Sequence, residues 1–311
     1  MGTSNHPHLP TPPTHTGATR LLDGRDLAWA EFGDPEGDVV FWFHGTPGAR
    51  SQVPHDLHDA AIDHRLRVIG VERPGTGHST PHRYERIVDF APDIEAVADD
   101  LSIEQFAAVG LSGGGPFVLA SAARLSDRFT TGVVLGGIGP TRGPDAVISH
   151  TLLLVPLNGA LGALRDLIGD GIGKVVRTFG RVGRPAIDAF FWLEWGDREA
   201  MSAMPASKAQ MLGDLMDAAE RGTLGSPLHD LVLFGRDWGF ELREVRAPIT
   251  FWGGTSDLIV PYVHAERQSK RVAGSRLRTE EGRGHFAGYT SVDQIFATIR
   301  ESWPVVRAVA I

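Results

Sequence analysis

The chain of 311 residues contains no cysteine. Disulfides, thiolate metal sites and a cysteine nucleophile are therefore excluded, while the redox compartment stays open. Lysine is nearly absent too: it occurs only at Lys174, Lys208 and Lys270, a pattern read as coding bias. Positive charge is not in excess. Thirty Lys and Arg against 38 Asp and Glu give a formal net charge of −8, which argues against a nucleic-acid partner. No run of about 18 apolar residues is present, so no membrane-spanning helix is expected. The first residues, Met1 to Gly17, are rich in proline, threonine and histidine and hold no apolar stretch, unlike a secretory signal. His6 stands where a myristoylation pattern needs serine or threonine. Residues 1–18 are expected to form a disordered tail, in which His6, His8 and His15 lack the fixed geometry a metal needs. Cytoplasmic localisation follows as a default, and oligomeric state is not readable.

What is present is an ordinary globular composition, 42% hydrophobic and 22% charged, in a chain long enough for a large core. Short β-branched or aromatic runs at Leu27 to Phe32, Val39 to His44, Arg67 to Glu72, Phe106 to Leu111 and Thr131 to Gly136 read as buried strands. Two more follow at Pro248 to Gly253 and Arg276 to Glu281. Helical patterns lie between them, near Gln52 to Arg65 and Tyr84 to Leu101, and again from Ser291. Such alternation predicts an α/β fold, a parallel sheet with helices on both faces and its chemistry at the carboxyl ends of the strands.

The alternation stops between about Thr141 and Phe240. That span is too long for a connection inside a sheet, where about two to six residues is usual. Its leucines, Leu152, Leu153, Leu154, Leu157, Leu161, Leu164 and Leu167, have helical spacing. Phe190, Phe191, Trp192, Trp195, Phe234 and Trp238 make it aromatic. A helical insertion over residues 141–240 is expected, with the aromatics forming its small core more readily than a ligand surface.

Gly110-Leu111-Ser112-Gly113-Gly114 matches G-x-S-x-G. The pattern alone is weak in a chain with 38 glycines. Its context gives it weight: a strand precedes it and a helix, with Pro116 in its first turn, follows. A serine at such a turn needs a base to take its proton. His285 is the best candidate, because Gly282-Arg283-Gly284-His285-Phe286 follows the last strand. His78 and His82 sit on the loop after the third strand and are less well placed, and His229 falls in the insertion. His55, His58 and His64 read as the solvated side of an early helix. The imidazole in turn needs a carboxylate, and Asp257 lies just past the strand ending at Gly253. Its competing reading is a turn aspartate bonded to its own backbone. An oxyanion needs two donors. They are expected from the N–H groups of Gly113, after the serine, and Thr46, in His44-Gly45-Thr46-Pro47-Gly48, since Pro47 has none.

With Glu72-Arg73-Pro74-Gly75-Thr76-Gly77-His78-Ser79, these segments resemble an α/β-hydrolase-fold protein with a helical cap, from about residue 19 to the end apart from the cap. One departure is Glu72, where the family usually carries aspartate. The resemblance implies a mostly parallel eight-stranded sheet, with residues 19–140 and 241–311 as the core and 141–240 as the cap. It implies a serine hydrolase using Ser112, His285 and Asp257, with no metal and no organic cofactor. Serine as nucleophile disfavours the epoxide hydrolases and dehalogenases of the fold. The apolar insertion points to a carboxylesterase of small to medium apolar esters. Two alternatives remain open: a carbon–carbon bond hydrolase gripping a carboxylate with Arg50, Arg73 or Arg142, and a ligand-binding receptor that hydrolyses nothing usefully. Perhydrolysis or haloperoxidase side activity is a third.

Overall fold

Residues 12–168, 196–221 and 226–303 are described by the structure, a computed structural model. Eight strands form one sheet: β1 (His15–Arg20), β2 (Asp26–Gly33), β3 (Asp38–Phe43), β4 (Leu66–Val71), β5 (Phe106–Leu111), β6 (Phe129–Leu135), β7 (Ile249–Gly254) and β8 (Arg276–Glu280). Their order is β1-β2-β4-β3-β5-β6-β7-β8, with only the β1–β2 and β2–β4 pairs antiparallel. A parallel strand covered on both faces is apolar throughout. β5, Phe-Ala-Ala-Val-Gly-Leu, is buried at all six positions. Successive side chains point to opposite faces. Phe106 and Ala108 accordingly join one core, while Ala107, Val109 and Leu111 join the other.

The first core is covered by α2 (Ala91–Asp100) and α3 (Gly115–Arg124), through Ile94, Val97, Phe117 and Ala120. The second is covered by α1 (Leu57–Asp63) and α9 (Val292–Ser302), through Leu57, Ala61, Ile295 and Phe296. Between β6 and β7 the sheet is interrupted by α4 (Leu154–Ile168), α5 (Arg198–Ala203), α6 (Pro205–Arg221) and α7 (Ser226–Phe234). After β7 the chain forms α8 (Val263–Arg271). Among the described residues, no helix is long and apolar enough to cross a membrane.

Three expectations change. The tail does not extend to residue 18: His15 to Arg20 pair with β2, where Gly17 lies against the Trp29 ring so closely that a Cβ would stand 2.4 Å from it. The strand escapes a pattern search because it is a mostly exposed edge of polar and small residues. The first helix begins at Leu57, not Gln52, because Pro54 biases its predecessor away from helix. Gln52 is also held outside the helix, its carbonyl accepting from Trp42 Nε1 at 2.9 Å. Lastly, His55, His58 and His64 are not simply solvated. His58 Nδ1 accepts the Gly33 N–H at 3.0 Å, His55 meets Ser207 of α6 at 2.9 Å, and His64 faces Asp293 at 3.3 Å. His6, His8, Phe190, Phe191, Trp192, Trp195 and the segment 304–311 lie outside the described residues.

Candidate active site

Ser112 sits between β5 and α3 with φ +52°, a left-handed backbone that is uncommon for a residue with a Cβ. Close packing on both sides holds it there. A Cβ on Gly110 would stand 2.6 Å from the Gly114 backbone, and one on Gly114 would stand 2.2 Å from the Phe43 carbonyl. Glycine at these two positions lets the turn close against the end of β3. Strained backbone of this kind persists only where the surroundings enforce it.

The ends of β7 and β8 bring the other expected residues in. His285 Nδ1 donates to Asp257 Oδ2 at 2.8 Å, and both residues are buried. Asp257 combines the two roles weighed for it: Oδ1 accepts the N–H groups of Ile259 and Val260 at 2.9 and 2.8 Å, and Oδ2 faces the imidazole. The turn bonds fix the carboxylate, and the carboxylate fixes the tautomer that carries hydrogen on Nδ1, leaving Nε2 to accept a proton. Gly136, at φ +54°, occupies the position beside them; a Cβ there would stand 3.1 Å from His285 Nδ1. The next residue, Gly137, would place a Cβ 3.7 Å from the Ser112 carbonyl. One glycine pair at the end of β6 thus touches both the serine turn and the histidine.

The loop after β3 closes the arrangement. A Cβ on Gly45 would lie 3.6 Å from Ser112 Cβ, and one on Gly113 would lie 2.4 Å from Thr46 Oγ1. Thr46 and Gly113 are therefore neighbours. Among the described residues the Thr46 N–H has no acceptor.

Sequence reasoning missed what holds this loop. Arg73, 2% exposed, donates to the carbonyls of His44 at 2.6 Å and Gly45 at 2.8 Å, and to Asp230 Oδ2 at 2.7 Å. Asp230, on α7, also accepts from Thr46 Oγ1 at 2.6 Å. Burial raises the Asp230 carboxyl, and Arg73 opposes that shift. Gln52 Oε1 accepts the Gly45 N–H at 2.6 Å while its amide donates to the Pro47 carbonyl at 2.9 Å. Asp214, on α6, accepts from the N–H groups of Ala49 at 2.8 Å and Ser51 at 2.7 Å. His44 is buried and held well below its ordinary pKa by desolvation, then by Arg73, so it stays neutral. Only the Glu72-Arg73-Pro74-Gly75 segment hinted at any of this.

The architecture as a whole finds its match in solved structures. An esterase from Rhodococcus sp. ECU1013 superposes with a TM-score of 0.66 at 19% identity, over 92% of this chain and 97% of that one. The family model of the alpha/beta hydrolase fold matches residues 38–159. The chain is an α/β-hydrolase-fold protein. Est816, described as an N-acyl homoserine lactone degrading enzyme, shares the α/β-hydrolase architecture at a TM-score of 0.55 and 18% identity, over 92% of this chain and 99% of that one. By sequence, a proline iminopeptidase from Arabidopsis thaliana is 30% identical over 135 residues, 42% of this chain and 34% of that one. An uncharacterised protein from Mycobacterium tuberculosis is 24% identical over 259 residues, 80% of this chain and 70% of that one. The match to the iminopeptidase spans only about a third of that relative's length.

Within the α/β-hydrolase frame the remaining candidates separate clearly. His78 and His82 are exposed, the latter against the Tyr84 ring at 4.9 Å, so neither joins Asp257. His229 is buried on α7, where Arg165 donates to its Nδ1 at 3.1 Å; desolvation, then Arg165, depresses it to about 3. Phe234, at the end of α7, would contact a Cβ on Gly113 at 2.9 Å, so one aromatic of the insertion lies beside the serine turn. Both Phe234 and Trp238 are buried in the first core of the sheet.

Proposed function

We propose that the chain is a serine hydrolase acting on small to medium apolar esters, with Ser112 as nucleophile, His285 as base, Asp257 as its carboxylate partner, and the N–H groups of Thr46 and Gly113 as the oxyanion donors. The observation that carries this reading is the buried His285–Asp257 pair beside a serine whose backbone is left-handed. His285 Nε2 takes the Ser112 Oγ proton as Oγ bonds to the ester carbonyl carbon. The negative charge moves to the carbonyl oxygen, where two fixed N–H dipoles meet it in a desolvated site. Collapse breaks the bond to the alkoxide, which leaves with the proton from His285. Water then gives a proton to His285 and its oxygen to the acyl carbon, and Ser112 recovers its proton as the acid departs.

The insertion over residues 141–240 is read as a cap, with Phe234 supplying an apolar wall beside the serine turn. Apolar lining with few polar groups suits an apolar acyl or aryl group. The carbon–carbon reading loses its best grip on a carboxylate, because Arg73 is committed to Asp230 and two carbonyls. Arg142 donates to the Gly235 carbonyl at 2.9 Å, and Arg50 faces Glu72 at 3.9 Å. An aminopeptidase must bind a substrate ammonium, and the buried Asp214 and Asp230 are already occupied by backbone N–H groups and Arg73.

A burst assay with p-nitrophenyl esters of graded chain length tests the proposal. The expected outcome is a stoichiometric burst followed by turnover, both abolished in Ser112→Ala while the fold persists. Release no faster than in the variant overturns the esterase. Hydrolysis of proline p-nitroanilide instead moves the substrate class to peptides, and tight ligand binding without turnover moves the protein to the receptors.

A further inference from the structure

Asp197 is buried at 1% exposure in the insertion, immediately before α5. An aspartate at that position usually caps its own helix. Here both oxygens go elsewhere: Oδ1 accepts the Gly284 N–H at 3.1 Å and Oδ2 accepts the Phe286 N–H at 2.5 Å. The two donors flank His285 in the chain. One carboxylate therefore ties down the backbone on both sides of the residue that carries the imidazole.

The sheet side holds the start of the same loop: the Gly282 N–H donates to Thr255 Oγ1 at 2.9 Å, and the Arg283 carbonyl accepts the Ser256 N–H at 2.8 Å. The loop reads Gly282-Arg283-Gly284, with Gly282 at φ +72°. It is gripped from two directions. On the sheet side, a Cβ on Gly254 would stand 2.2 Å from the Arg283 carbonyl and 2.4 Å from that of Gly284. On the insertion side, a Cβ on Gly196 would stand 2.7 Å from the Gly284 nitrogen. Glycine at 196 is what lets Asp197 come close enough to bond. Arg283 Nε, 3.7 Å from Asp197 Oδ1, supplies a counter-charge.

We propose that Asp197 is a positioning residue for His285, so that the insertion supplies part of the scaffold of the catalytic base as well as covering the site. This rests on the assignment of His285 as the base of a serine hydrolase. Asp257 then sets the tautomer and Asp197 sets where the ring stands. A misplacement of about 1 Å at a reacting group costs roughly a hundredfold in rate, so a fold-preserving change at residue 197 acts on chemistry before it acts on binding.

The test uses a fluorophosphonate, which reports the reactivity of Ser112 without knowledge of the substrate. Asp197→Asn keeps one acceptor but turns an NH2 group toward the other N–H. Its second-order rate of phosphonylation is expected to fall roughly ten- to a hundredfold, and the low-field proton resonance shared by His285 Nδ1 and Asp257 is expected to broaden or move. In ester turnover the loss falls on kcat, with KM nearly unchanged. Ser207→Ala, which cuts a different contact between insertion and core, is the control and keeps the wild-type rate. A folded Asp197→Asn protein that reacts at the wild-type rate with an unchanged resonance overturns the proposal. A wild-type protein that is not labelled at Ser112 overturns the hydrolase reading instead, so the two failures are distinct. Should Asp197→Asn not fold, Gly196→Ala decides: it retains the carboxylate but pushes it off the loop, and an unchanged labelling rate there overturns the assignment equally.

Discussion

Arg73 places a guanidinium in the interior, and Asp230 is what makes that tolerable. The guanidinium stacks 4.9 Å from the Phe117 ring and spends its donors on Asp230, Thr46 and two carbonyls of the loop after β3. A buried pair of this kind adds little net stability compared with an apolar pair, yet removing one partner leaves an uncompensated charge. Asp230→Ala is expected to lower the unfolding free energy by about 3–5 kcal/mol. Urea unfolding followed by circular dichroism measures it, and a loss below about 1 kcal/mol would show that water reaches Arg73. At this scale the sequence announced Ser112, Asp257 and His285, because each sits in a glycine-marked turn after a strand. Asp230 and Asp214 were silent, since nothing distinguishes an inward-facing aspartate from a solvated one on a helix. Asp197 was silent for the same reason.

The turn joining β5 to α3 is the element under greatest constraint. Its glycines are required by backbone contacts. The position at Gly114 is closest, 2.2 Å from the Phe43 carbonyl and 2.9 Å from that of His44, where the loop bearing Thr46 begins. Gly114→Ala must push the serine turn away from that loop, at a cost expected to reach about 3 kcal/mol, with ester turnover lost along with stability. Gly162, inside α4, offers the contrast: a Cβ there meets nothing within 4 Å. Gly162→Ala is expected to gain about 0.5–1 kcal/mol from the lower entropy of its unfolded chain. Thermal melts of the two variants side by side check both signs. A Gly114→Ala protein as stable and active as wild type would contradict the packing described for the turn. Strand limits were legible to within a residue or two because the buried runs are continuous. β1 was not, because an edge strand needs only backbone pairing and carries no apolar signature.

The whole molecule is sensitive to pH where the insertion meets the core. Burial pushes the Glu72 carboxyl up to about 6 from an ordinary 4.5, with Arg50 opposing the shift. Burial, with Glu72 adding like charge, pushes Asp214 to about 8 from an ordinary 3.8, against the Ser51 and Ala49 N–H groups and Arg50. Both groups bind a proton more tightly folded than unfolded. Their contribution to stability is full below those ordinary values and is lost as pH rises through about 6 and then about 8. Urea midpoints are therefore expected to fall between a buffer below pH 6 and one above pH 8, and Asp214→Asn is expected to flatten the upper part of that fall. A midpoint that stays level across the interval would mean that both carboxyls are already charged in the folded chain below pH 6.

Composition and periodicity by themselves determined that this chain forms a parallel sheet covered by helices and interrupted by a helical insertion, because apolar runs of strand length must be buried on both faces. Local glycine patterns located the serine turn, the loop bearing Thr46 and the turns bearing Asp257 and His285, because each needs a backbone that other residues resist. Tertiary structure alone decided how those loops are held in register. Gly136 and Gly137 bridge the serine turn and the imidazole, and three aspartates of the insertion grip loops of the core. Those contacts join residues far apart in the chain, such as Asp197 with Gly284 and Asp230 with Thr46. Pairing over such distances is set by how the helices pack on the sheet, which no local pattern records.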